Sequence, residues 1–217
     1  MSYAATPPMQ LQQGPLRLQQ GMALPDDDQF ANDDAAATPL ISERLRRTEV
    51  SLETREAPGT VIIDTAGTHL YYVLGHNRAI RYGVGVGREG FTWSGSETIT
   101  RKAEWPDWHP PAAMIARQPY LPRFMAGGPG NPLGARALYL GASQYRIHGT
   151  NDPSTIGKFV SSGCIRLINA DVEDLFRRVQ IGAKVVVLPK SASRRFEAQV
   201  TEASPRMRPR GDVAALR

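Results

Sequence analysis

The residues able to do chemistry concentrate in positions 146–167, RIHGTNDPSTIGKFVSSGCIRL. This stretch holds the single cysteine of the chain, Cys164, and, 16 positions upstream, His148, one of four histidines. A thiol is a strong nucleophile only as its thiolate, and a neighbouring imidazole is a common route to that state near neutral pH. Tyr145, Arg146, Ile147 and His148 read as a strand, so rigid backbone would hold the imidazole. Cys164 follows Ser161, Ser162 and Gly163, a small-residue turn that lets a substrate carbonyl approach main-chain N–H groups. Such donors are what an oxyanion hole requires. The same residue types admit a plainer reading, in which the free cysteine is a small buried hydrophobe and the histidine a satisfied core or surface residue. Residue types alone leave both open.

The order of the residues adds to this. The run HGT-N-x-P…IG…SSGC-I-R-L resembles the catalytic signature of the L,D-transpeptidase family, the YkuD-type domain that remodels bacterial peptidoglycan. The resemblance implies that His148 is the base, Cys164 the nucleophile, and Arg166 part of the donor-site loop. It also implies an oxyanion and substrate-binding set of Gly163, Ser162, Ser161, Arg166, Gly149 and Thr150. Many members carry a second His two residues before the Cys, in S-H-G-C, where this chain has Ser162. A hydroxyl cannot titrate near neutrality, so the acid limb of the reaction is expected to reflect a single ionisation of the Cys–His unit.

The elements that position this stretch are mostly strands. Val61-Ile-Ile follows a Pro58-Gly59 turn, and two apolar runs flank Gly75-His76-Asn77, a hairpin signal. Gly83, Gly85 and Gly87 alternate with valines along a strand rather than opening a helix. That spacing marks close backbone packing and argues against a nucleotide site. Trp105-Pro-Asp-Trp-His-Pro-Pro is similar to the family's W-P-x-W-x-P-P segment. Its three prolines forbid a regular central strand or helix and suit either a cleft wall or a packing loop. Beyond the cysteine, Val172, Leu175, Phe176 and Val179 form an apolar stripe at helical spacing, with Asn169 as N-cap and Gly182 as terminator. Lys184-Val-Val-Val reads as a closing strand.

The predicted fold is therefore mostly β, a sandwich or barrel-like domain with one main α-helix packed on it, and the family's fold agrees. Residues 1–45, rich in Gln, Pro, Ala and Asp without a sustained period, read as a disordered leader or linker. Residues 46–190 form the catalytic domain, and 191–217 a flexible basic tail. Net charge is +5 over 217 residues, but unevenly placed: the first 40 residues carry one Arg against five Asp, and the last 27 carry six Arg against three acids. A basic body suits an anionic polymer such as the cell wall. No nucleic-acid motif accompanies it, so no nucleic-acid partner is expected. One cysteine excludes an internal disulfide and a multi-cysteine metal site.

The expected function is a cysteine-dependent L,D-transpeptidase acting on peptidoglycan tetrapeptide stems, an acyltransferase that releases D-Ala and crosslinks stems or anchors an envelope protein. It needs neither metal nor organic cofactor. The alternatives are an L,D-carboxypeptidase or thiol amidase, and a wall-binding module without catalysis. The compartment implied is the periplasm or cell envelope, although residues 1–24 show no basic region followed by an apolar run, and no transmembrane span is recognisable.

Overall fold

A computed structural model describes residues 41–202. Twelve strands dominate this span, and ten form one sheet. In chain order they are β1 (Thr48–Leu52), β2 (Val61–Asp64), β3 (His69–Gly75), β4 (Arg78–Gly83), β5 (Val86–Gly87), β6 (Gly95–Glu104), β7 (Arg136–Leu140), β8 (Arg146–His148), β9 (Phe159–Ser161), β10 (Ile165–Arg166), β11 (Lys184–Val187) and β12 (Val200–Glu202). The large sheet runs β10-β8-β7-β6-β11-β2-β3-β4-β1-β12, while β5 and β9 pair separately. The β3–β4 hairpin turns at His76 and Asn77, both with positive φ, as the Gly-His-Asn signal predicts.

The sheet is curled. Ile147 and Ile165 from one end share a single apolar core with Leu70, Ile80 and Tyr82 from β3 and β4 towards the other. Where the curl nears closure, Gly85 and Arg166 exchange two backbone hydrogen bonds, at 2.9 and 2.8 Å. Gly85 must be glycine there, because a Cβ would sit 2.6 Å from the Thr155 carbonyl oxygen. Alternation sorts the side chains: Val61, Ile63 and Leu70 face this main core, whereas Ile62, Tyr71 and Val73 face a second cluster on the opposite side.

Three α-helices complete the fold: α1 (Ala112–Arg117), α2 (Asn169–Arg178) and α3 (Lys190–Glu197). α2 is the predicted amphipathic helix, and Val172 and Leu175 are fully buried in the main core. Its ends differ from expectation. Ile168 occupies the N-cap position without a side-chain hydrogen bond, and the helix stops at Arg178, before Gly182. Asn169 is drawn away by a stronger demand, since its Oδ1 accepts the Ala135 N–H at 2.9 Å and so ties the helix start to the loop before β7.

Both domain boundaries move outward. Ile41 and Leu45 pack with Ile156 in a small third cluster, so the folded region begins ahead of residue 46. Residues 191–202 are not a flexible tail: α3 buries Phe196 edge-on against Tyr71, with ring centroids 5.2 Å apart, and β12 pairs antiparallel with β1. Phe196 and Val200, among arginines and polar groups, are enough to anchor the segment once β1 offers an unpaired edge. The rest of the expected leader and of the expected tail lies outside the described residues.

Candidate active site

β8 and β10 run side by side and parallel, with Ile147 opposite Ile165 and His148 opposite Arg166. The two isoleucines point into the core. Their neighbours in sequence therefore point to the other face, and His148, Cys164 and Arg166 emerge together on one cavity of about 370 Å³. Part of the remaining wall comes from Trp108 and Pro111 of the proline-stiffened loop, and from Met114 and Arg117 of α1. The loop is the cleft wall rather than mere packing, and it is braced by a two-bond bridge between Trp108 and Met125. A short helix does follow its last proline, since Pro111 is tolerated at a helix start.

The thiol of Cys164 is half-buried and faces the Gln144 carbonyl at 3.9 Å. Burial pushes its pKa up, while Arg146 and Arg166 pull it down. His148 is buried, and its Nδ1 donates to the Gly149 carbonyl at 2.6 Å. A carbonyl can only accept, so this bond leaves Nε2 as the basic nitrogen. Burial, followed by the charge of Arg166, drives the imidazole pKa down to about 3, against the pull of the Gly149 and Leu133 carbonyls. The resting pair is thus a neutral thiol beside a neutral imidazole.

The turn before the thiol is built by Ser161, whose Oγ donates to the Cys164 carbonyl at 2.6 Å and accepts the Gly163 N–H at 3.1 Å. Gly163 is therefore spoken for and does not offer an oxyanion donor. The Cys164 N–H makes no hydrogen bond among the described residues. Gly163 adopts φ of 103°, and its carbonyl accepts the Trp93 indole N–H at 3.1 Å. Trp93 in turn stacks on Tyr145 at 4.8 Å and 7°, which closes the turn from behind. Ser162 lines the cavity with no hydrogen bond among the described residues.

Two members of the expected binding set lie elsewhere. Thr150 is buried outside the cavity lining, and its Oγ1 organises the Asp152 turn by accepting the Asp152 N–H at 3.0 Å. Gly149 is likewise a positioning residue, packed against Ala135 and Asn169 and supplying the carbonyl that holds His148. Conversely, the cavity contains Arg146 and Tyr145, which the sequence reading left without roles. Strand alternation back from His148 was the signal for Arg146. His69 is buried against the Arg44 carbonyl, His76 lies in the hairpin turn, and His109 packs on Phe124, so none of the other histidines lines the cavity. Among the described residues, no helix is long and apolar enough to cross a membrane.

A thiol and an imidazole share one cavity of a curled, β-rich scaffold, under a tryptophan-proline wall. The profile of the YkuD L,D-transpeptidase catalytic domain matches residues 58–187, and the chain belongs to that family. The "Probable L,D-transpeptidase YbiS" of Escherichia coli K12 is 39% identical over 135 residues, covering 58% of this chain and 43% of that protein. The chain spans less than half the length of that relative. Among solved structures, the "Ldtfm-avibactam carbamoyl enzyme" aligns at a TM-score of 0.50 and 18% identity, over 62% of this chain and 50% of that one, and so shares the fold. A Brucella melitensis crystal structure described as a "Probable carnitine operon oxidoreductase caia" is 45% identical, over 70% of this chain and 99% of that one, with a TM-score of 0.46. Its description is at odds with the family that this chain's own sequence matches.

Proposed function

We propose that this domain is a cysteine-dependent L,D-transpeptidase acting on peptidoglycan tetrapeptide stems in the periplasm or cell envelope. The observation that carries the reading is the shared face of β8 and β10, which turns His148 and Cys164 into one cavity. In the proposed reaction His148 Nε2 takes the thiol proton, and the sulfur attacks the carbonyl at the L-to-D peptide bond. The unpaired Cys164 N–H stabilises the oxyanion; one such donor is commonly worth about 3 kcal/mol. The C–N bond then breaks, and the imidazolium returns its proton to the departing D-alanine amine. An amine of a second stem, or of an envelope protein, attacks the thioester and regenerates the thiol. Capture by water instead would make the same site an L,D-carboxypeptidase.

Incubation with purified tetrapeptide muropeptides, followed by mass spectrometry, tests the reading. Loss of one D-alanine with a new crosslink is the expected result, and loss without a crosslink favours the hydrolase. Intact muropeptides from the wild-type protein would contradict both.

A further inference from the structure

The parallel register that pairs Ile165 with Ile147 also brings Arg146 opposite Cys164, one step earlier on each strand. Neighbouring strands lie about 4.8 Å apart, and both residues point to the cavity face. Arg146 forms no ion pair among the described residues, its Nε is buried without a partner, and both its main chain and its side chain act on the Cys164 thiol. Its guanidinium carbon lies 5.3 Å from the Tyr139 ring centroid, which supports it on one side. Arg166, across the sulfur, has the same unpartnered buried Nε.

The charge around the thiol has one sign. β8 contributes Arg146 and His148, β10 contributes Arg166, α1 contributes Arg117, and the preceding loop contributes the Tyr145 phenol. No Asp or Glu lines the cavity. The acid felt there is Asp152, which acts on Arg166 from the turn after Thr150. Arg146 and Arg166 are half-buried with unpartnered Nε atoms, and two cations so placed are prepared for an anion.

We propose that Arg146, with Arg166, supplies the counter-charge for the Cys164 thiolate once the thiol proton has moved to His148. The inference rests on the reading of Cys164 as nucleophile. In the step, the S–H bond breaks, the proton goes to Nε2, and the electron pair stays on sulfur; Arg146 remains protonated throughout. Work is divided between neighbours: the imidazole moves the proton and the guanidiniums hold the charge. Burial of His148 fits this division, because an imidazole neutral down to about pH 3 is no standing counter-ion in the resting site. Arg146 is a positioning residue in this scheme, acting through the sulfur.

Alkylation by iodoacetamide across the neutral and alkaline range reads the thiol directly, and the chain has only one. An opposite charge at this range lowers an acid's pKa by about 1–3 units, so Arg146→Met should raise the apparent thiol pKa by about one unit or more. Alkylation near neutral pH then slows about tenfold. Arg146→Lys, which keeps the charge, should restore most of the rate, and Arg146→Gln repeats the test should the Met variant not fold. Arg101→Met is the control: Arg101 stacks 3.6 Å from the same Tyr139 ring but does not line the cavity, so its profile should match wild type. Profiles for the Met and Gln variants that superimpose on wild type would overturn the proposal. So would a Lys variant as slow as Met, or an equal shift from Arg101→Met. The assay uses no stem peptide, so a shifted profile in a protein that transfers nothing would sink the transpeptidase reading and leave this one standing.

Discussion

Two adjacent serines before the thiol have opposite duties, and the difference is measurable. Ser161 is buried and holds both the Gly163 N–H and the Cys164 carbonyl, whereas Ser162 stands in the cavity with its hydroxyl free of described partners. Ser162→Ala should cost about tenfold or less in acylation rate, through lost orientation. Ser161→Ala should cost more, since it leaves a buried N–H unsatisfied and frees the turn. Rate ratios in the reverse order would mean that the Ser162 hydroxyl lies in the proton path. His148 carries a second signature, in stability. Its folded pKa of about 3 lies below the unfolded value of about 6.5, so the native state binds fewer protons between the two. Its stabilising contribution is therefore complete above about pH 6.5 and is lost as pH falls towards 3, by a few kcal/mol at most. His69 is lowered too and adds in the same direction. Urea melts at stepped pH should show a shallower acid slope for His148→Gln than for wild type; equal slopes would show that the imidazole is not held neutral.

At the scale of elements, the site is a product of alternation and one left-handed turn. Tyr145-Arg-Ile-His was legible as a strand and the α2 stripe was legible from its spacing, whereas the two-residue strand β10 after the thiol was not. What the sequence could not show was that β8 and β10 would pair with each other, because 15 residues, β9 among them, intervene between thiol and imidazole. Only that pairing separates Arg146 as a site residue from Thr150 as a turn-builder. The role of Gly163 as an oxyanion donor failed for a local reason: Ser161 reaches its N–H first. The glycine is still required, because its φ of 103° and the Tyr145 ring leave no room for a Cβ. Gly163→Ala should cost roughly 1–3 kcal/mol in stability and most of the activity. A thermal melt and a turnover assay check this, and a variant equal to wild type in both would show that the turn is not fixed.

At the scale of the whole molecule, α3 and β12 close the sheet from behind, and the expected limits of the domain were too narrow. Composition hid this, since residues 190–202 contribute mainly Phe196 and Val200 to the second cluster amid polar and charged neighbours. Phe196 is 8% exposed, and Phe196→Ala should destabilise by about 3 kcal/mol. A chain ended at residue 190 should be less stable still, because it also uncovers the β1 edge. Equal melting temperatures for the full chain and the shortened one would show that α3 and β12 add nothing. The cavity face lies at the β10 end of the sheet order and β12 at the other, so Phe196→Ala should leave the pH profile of the thiol unchanged in whatever fraction remains folded.

The central claim is that Cys164 forms a covalent acyl-enzyme with a peptidoglycan stem. Intact-protein mass spectrometry after brief exposure to a tetrapeptide stem tests it most directly, with Cys164→Ala alongside. The expected result is an adduct on the wild-type protein equal to the stem less one D-alanine, located by peptide mapping at Cys164 and absent from the variant. An adduct that persists in Cys164→Ala, or stem turnover by that variant at the wild-type rate, would contradict it.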